Sequence, residues 1–271
     1  MRKRAIVVAV SGAFALSALA VPAAQAAPTA APNVTFSNVK VNAGKNIVVG
    51  PTTKVTVTAT YTVTKPASVS AGSLVSGPLL YRGTTFGPDA DELWGGDDAG
   101  SCTTVSSTVL HCTAKIQFRP APTTDFGDLT NSLAGTWKIG ALATTTNASS
   151  EDDFKWQGNL GTVKVQRASK LTVDATPEPV KKGKTLTVTG KLTRANWDTN
   201  KYAGYAAQSV KLQFKKKGSS TYTTVKTIKT SSTGTLKTTV KASADGYFRY
   251  SFAGTSTTPA VTTAGDFVDV K

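Results

Sequence analysis

Residues 185–192 read Thr185-Leu186-Thr187-Val188-Thr189-Gly190-Lys191-Leu192. Apolar and polar residues alternate at a period of two, and β-branched residues fill the polar positions. That alternation is the mark of a strand with one buried face, here carrying Leu186, Val188 and Leu192. Residues 209–214 repeat the pattern, with Val210, Leu212 and Phe214 on one face. Turn chemistry separates such runs at Lys182-Gly183, at Gly218-Ser219-Ser220, at Ser232-Thr233-Gly234 and at Asp245-Gly246.

Outward from this stretch, residues 170–175, 222–228, 236–240, 247–252 and 267–270 read as further strands. About seven short strands in about 100 residues, punctuated by turns, predict an Ig-like β-sandwich over 169–271. The segment also resembles the Ig-like modules of secreted actinobacterial proteins. The resemblance covers residues 170–271 and rests on the Gly183 to Gly190 strand, the Gly234 turn, and Gly246-Tyr247-Phe248-Arg249-Tyr250 leading to Gly254. It implies a sandwich and a non-catalytic role, and it implies no particular ligand. The aromatics Tyr247, Phe248, Tyr250 and Phe252 read as core and packing.

Residues 33–168 are less regular. Strands are expected at 34–41, 54–64, 77–81, 103–118, 136–143 and 161–165, giving another sandwich with a long insertion. Trp137 falls inside an apolar strand pattern and reads as core. Cys102 and Cys112 flank Ser107 symmetrically, so a hairpin centred there sets them across from one another as a disulfide. The expected fold class is therefore all-β, with two β-sandwich domains, the second Ig-like.

The chain opens on Met1-Arg2-Lys3-Arg4, continues as an apolar run over 5–21, and offers Ala24-Gln25-Ala26 to a signal peptidase. Positive end, short apolar core and small-residue exit predict a secretory signal peptide over 1–26, followed by a flexible leader over 27–32. No cysteine follows the apolar run, and no apolar stretch closes the chain. The mature protein is expected in the extracellular space or on the cell wall, without a membrane anchor. Export also permits the disulfide.

The formal net charge is +15, and its distribution is uneven. Residues 27–168 carry 11 Lys or Arg against 10 Asp or Glu, whereas residues 169–271 carry 17 against 6. The change near residue 168 marks the expected domain boundary. Lys181, Lys182, Lys184, Lys211, Lys215, Lys216 and Lys217 form a candidate basic patch toward polyanions, set against a merely solvated face. Outside the cell the partners would be an anionic cell-wall polymer, a polysaccharide or another extracellular protein. Nucleic acid is not expected, since no nucleic-acid module accompanies the charge.

Two other candidates stand beside the patch. The acidic segment with Asp89, Asp91, Glu92, Asp97 and Asp98 is a candidate calcium site, with Asp125, Asp128, Glu151, Asp152 and Asp153 able to converge on it. Its spacing does not match an EF-hand loop, and the alternative is a solvated acidic loop. Trp94 and Trp156 sit in polar or Gly-rich surroundings. Trp197 sits with Tyr202 and Tyr205 in what reads as the longest loop of the second domain. These five are candidate ligand-binding aromatics.

Catalysis is not expected. His111 is the sole histidine and lies beside Cys112, no Gly-x-Ser-x-Gly motif accompanies it, and both cysteines are assigned to the disulfide. The reading is a secreted, non-catalytic interaction or structural protein associated with the envelope through anionic polymers. The alternatives are a carbohydrate-binding protein and a glycan hydrolase using first-domain carboxylates.

Overall fold

The computed structural model describes residues 30–96, 98–120 and 128–271, with the backbone alone of Asp128. The expected signal peptide over 1–26, residues 27–29 of the expected leader, Asp97 and Asp125 lie outside this set. The described chain is all-β, its only helices being one-turn 3-10 segments. No described helix is long and apolar enough to cross a membrane.

The chain forms two compact units. The first comprises 30–45, Thr56–Gln117 and Trp137–Val163; the second takes Asn46–Val55, the described part of Phe118–Thr136, and Lys164–Lys271. In the first unit, strands Thr35–Val41, Val55–Thr64, Val109–Pro120 and Ser101–Thr104 lie side by side in that order. A second layer runs Glu92–Trp94, Leu74–Arg82, Gly135–Thr145, with Lys155–Gln157 also on Gly135–Thr145. Phe36, Tyr61, Val63, Leu110 and Cys112 from the first layer meet Ala141 and Ala143 from the second in one core. The strands expected at 34–41 and 54–64 are present to within a residue, those at 77–81 and 136–143 extend further at both ends, and the run 103–118 is divided into two strands by the turn between them. Glu92–Trp94 and Lys155–Gln157 are additions, each too short for its alternation to be read from sequence.

The hairpin over Ser101–Thr104 and Val109–Pro120 pairs Cys102 directly with Cys112, and the two are disulfide-bonded with Cα atoms 4.0 Å apart. All four residues of Ser101–Thr104 are exposed, whereas Cys112 is buried. The bond thus fastens an edge strand with no apolar face of its own to the core strand beside it.

In the second unit, Thr185–Asn196 is the central strand of one sheet. Ser169–Leu171 and Asp174–Thr176 pair along it, Thr235–Lys241 runs along the other side, and Lys201–Gly204 folds back on its far end. The single strand expected over 170–175 is therefore broken in two. The facing sheet has the order Thr223–Lys229, Ser209–Lys216, Gly246–Phe252, then Val261–Thr262, with Asp266–Val268 also on Gly246–Phe252. Leu186, Val188, Leu192 and Leu236 from one sheet pack against Val210, Leu212, Phe248, Tyr250, Phe252 and Val268 from the other. Gly234 holds a turn with φ +81°, and a Cβ there would strike the backbone oxygen of Leu192; only glycine suits both demands.

The second unit also includes an element that sequence spacing does not reveal. Ile47–Val49 lies parallel to Thr162–Arg167, and Trp197 donates its indole N–H to the Val49 carbonyl at 3.3 Å. Asn131 accepts from the Trp197 backbone N–H and donates its side-chain amide to Asn196 and Asp198. Asn200 donates to the Pro51 carbonyl at 2.8 Å. Residues 193–204 are therefore a paired hairpin rather than a long loop, and its polar tip is bonded to segments far away in sequence.

Candidate functional site

The strand Ser209–Lys216 alternates between two environments. Val210, Leu212 and Phe214 face the core, so Lys211, Gln213 and Lys215 project from the other side of the pleat. The neighbouring strand obeys the same rule: Phe248, Tyr250 and Phe252 point inward, while Tyr247, Arg249 and Ser251 are half-exposed. Register then assembles rows across the outer face. Lys215 lies opposite Tyr247, Gln213 opposite Arg249, and Tyr247 in turn opposite Phe267.

The result is a rack of cations held on aromatic rings. The Lys215 ammonium lies 4.9 Å from the Tyr247 ring centre and 5.1 Å from that of Tyr222. The Arg249 guanidinium carbon stands 3.7 Å over Tyr222, and Gln213 accepts from its Nε at 2.8 Å. Lys217 Nζ is 5.5 Å from the Phe267 ring, which stacks at 5.2 Å on Tyr247. Each contact is worth roughly 0.5–1 kcal/mol at an exposed site. Their larger effect is on order: a lysine or arginine resting on a ring has already lost rotamer freedom that an anion would otherwise have to freeze.

The other lysines of the patch join this face at one end of the sandwich. The Lys217 backbone N–H donates to Asp245, whose side chain accepts from the Val270 N–H. Lys182 donates to the Lys271 carbonyl, Gly183 to Ala242, and Ala242 to Lys184. The turns at 181–184, 216–218 and 242–246 thus meet the C-terminal residue at one rim. Lys181, Lys182, Lys184, Lys216, Lys217 and Lys271 are all exposed there. One ion pair, Lys217 to Asp245 at 3.7 Å, offsets this charge.

The aromatic candidates divide. Trp197 is 0% exposed and Tyr205 9%; a ring enclosed on all sides offers no face to a sugar, so the stacking surface expected of Trp197, Tyr202 and Tyr205 does not form. Tyr202 is half-buried with the Lys170 ammonium 4.2 Å from its ring centre. Trp94 is also a core residue. It donates to the Gln117 carbonyl at 2.9 Å and meets Trp137 edge-on at 6.4 Å, with Arg82 over the Trp137 ring. Trp156 alone of the three tryptophan candidates keeps a half-exposed ring, meeting Phe86 edge-on at 5.3 Å with Phe154 at 6.3 Å.

Among the described residues the acidic candidates form no metal-binding group. Asp89, Asp91 and Asp98 are exposed, and Glu92 is a strand residue opposite Arg82. Among the described residues no three or more His, Cys, Asp or Glu side chains are arranged to hold a metal ion. Asp153, grouped above with the converging acids, is instead buried as a cap, accepting from the backbone N–H groups of Ser149 and Ser150. His111 is exposed on its hairpin.

Sequence reasoning missed Tyr222, Arg249 and Phe267, and placed Tyr247 in the core. The signal was available for Tyr247 and Arg249: strict period two over 246–252 sends alternate residues outward, and only the density of aromatics conceals it.

No family model matches the chain, and no curated protein matches it. Among solved structures, it is similar to the Yersinia pseudotuberculosis adhesin InvE at 12% identity and a TM-score of 0.27, covering 87% of this chain and 58% of that one. It is also similar to the D00-D0 domain of Intimin at 14% identity and a TM-score of 0.27, covering 86% of this chain and 99% of that one. The chain thus spans 58% of the InvE chain, and superpositions this loose carry no argument about what the protein does.

Proposed function

We propose that this is a secreted, non-catalytic protein that binds anionic polymers of the cell envelope through the outer face and basic rim of residues 169–271. The observation that carries the reading is the rack of Lys215, Lys217 and Arg249 on Tyr222, Tyr247 and Phe267. A merely solvated lysine face has no need of such ordering. Here the cations stand pre-positioned on a sheet, beside a rim of exposed lysines, which suits repeated anionic groups along a flexible chain. Secretion is supported by the leader sequence over residues 1–26.

A second reading, binding of neutral glycan, is favoured by one observation: the half-exposed Trp156 with Phe86 and Phe154. Binding of the full mature chain to a soluble anionic polysaccharide and to its neutral counterpart separates the two. The double variant Lys215→Gln/Arg249→Gln is expected to weaken polyanion binding about tenfold or more, while Trp156→Ala leaves it unchanged. Retention on the neutral glycan that disappears in Trp156→Ala would replace the first reading with the second.

A further inference from the structure

The second unit holds two arginines close enough to act on one another electrostatically. Arg167 is 7% exposed, and its Nε donates to the Ala195 carbonyl at 2.6 Å. Arg194 is half-buried, its guanidinium carbon 3.9 Å over the Tyr205 ring and its Nη1 within 3.4 Å of the Thr258 hydroxyl. Among the described residues neither makes an ion pair. Asp198 acts on Arg167 electrostatically from beyond ion-pair distance, and its two carboxylate oxygens also accept from the backbone and side-chain N–H groups of Asn131. Burial and the like charge of Arg194 together hold the Arg167 guanidinium down to about 10. Two arginines within electrostatic reach of one another, one of them buried and neither in an ion pair, carry a cost that an added anion relieves.

Hydroxyl groups converge on the same place. The Arg167 backbone N–H donates to the Thr257 carbonyl, and Thr255 and Thr258 close a tight turn through the Thr255 N–H. The Tyr205 hydroxyl lies 3.4 Å from the Thr255 hydroxyl, which lies 3.2 Å from that of Thr257. Burial raises the Tyr205 phenol, but hydrogen bonds with Thr255, Thr258 and Thr257 and the charge of Arg194 outweigh it, so the group sits below its ordinary value. Planar arginine forks flanked by hydroxyl donors are the chemistry that holds an oxygen anion.

We propose that Arg194 and Arg167, with the hydroxyls of Tyr205 and Thr255, form a binding site for a single oxyanion group, a phosphate or a carboxylate. The site is separate from the lysine rack: it lies on the Thr185–Asn196 side of the unit and takes one anionic group rather than a run of them. It serves a small anion or one pendant group of a larger ligand.

The test is a titration of the full mature chain with inorganic phosphate and, in parallel, with acetate, following the side-chain Nε–Hε signals of Arg167 and Arg194 by NMR. At least one anion is expected to give a saturable shift of both signals. Arg194→Gln should weaken that binding about tenfold or more, the loss of a charge-assisted contact. Arg194→Lys should weaken it less, and Arg249→Gln on the rack should leave it unchanged. Near-ultraviolet circular dichroism of each variant confirms the native fold. Linear, unsaturable shifts with both anions would overturn the proposal, as would equal loss in Arg194→Gln and Arg249→Gln.

Discussion

Trp197 shows how a single residue escapes a sequence reading. Asn196, Asp198, Thr199 and Asn200 surround it, and such neighbours announce an exposed loop. The side chains of Asn196, Asp198 and Asn200 instead bond to Asn131 and Pro51, partners 65 to 149 residues away, and no local pattern encodes contacts that distant. Trp197→Ala is expected to destabilise the protein by about 3–5 kcal/mol, measured by urea unfolding. Cys102 and Cys112 are the opposite case. Their pairing was legible because the constraint is local, ten residues around a Ser-rich turn. Cys102→Ser/Cys112→Ser should cost roughly 2–3 kcal/mol by the same measurement. Tyr250 is fully buried and donates its hydroxyl to the Val188 carbonyl at 3.0 Å; burial pushes the phenol up to about 12. Because the folded value exceeds the unfolded one, this contribution to stability is constant below about pH 10 and declines from there toward pH 12. An ultraviolet titration of tyrosine ionisation should show one phenol titrating last, and Tyr250→Phe should remove that step.

At the scale of the element, the strand Gly246–Phe252 carries two messages in seven residues. Its inner face was legible, since period two delivers Phe248, Tyr250 and Phe252 to the core. Its outer face was not, because Tyr247 beside Phe248 looks like more of the same core. What Tyr247 and Arg249 do depends on Lys215, Tyr222 and Phe267, brought alongside by register rather than by sequence distance. The two faces predict opposite phenotypes. Phe248→Ala should cost about 3–5 kcal/mol. Tyr222→Ala should cost only about 1–2 kcal/mol, the sum of its two cation contacts, yet weaken polyanion binding several-fold, because Arg249 and Lys215 lose the ring that orders them. Thermal unfolding and polymer binding measured on the same two samples check both halves.

At the scale of the whole molecule, the sequence divides most clearly by charge. The all-β class, most strands and the position of the excess positive charge were readable from composition and alternation. The convergence of Lys181, Lys182 and Lys184 with Lys216 and Lys217 was not, since it arises from backbone bonds linking three separate turns to the C-terminus. The acidic segment, which reads as conspicuously as the basic one, assembles no metal-binding group among the described residues. Clustering in sequence therefore became clustering in space for the lysines, whose turns share a rim, whereas the described acids Asp89, Asp91, Glu92 and Asp98 lie on a strand and on exposed bends. The central claim is that this positive surface recognises anionic polymer by charge. Its most direct measurement is the affinity of the mature chain for a soluble anionic polysaccharide as ionic strength rises. Affinity should fall steeply with salt, and the dependence should be visibly shallower for Lys215→Gln/Arg249→Gln. An affinity that does not change with salt, or a salt dependence identical in that variant, would contradict that claim.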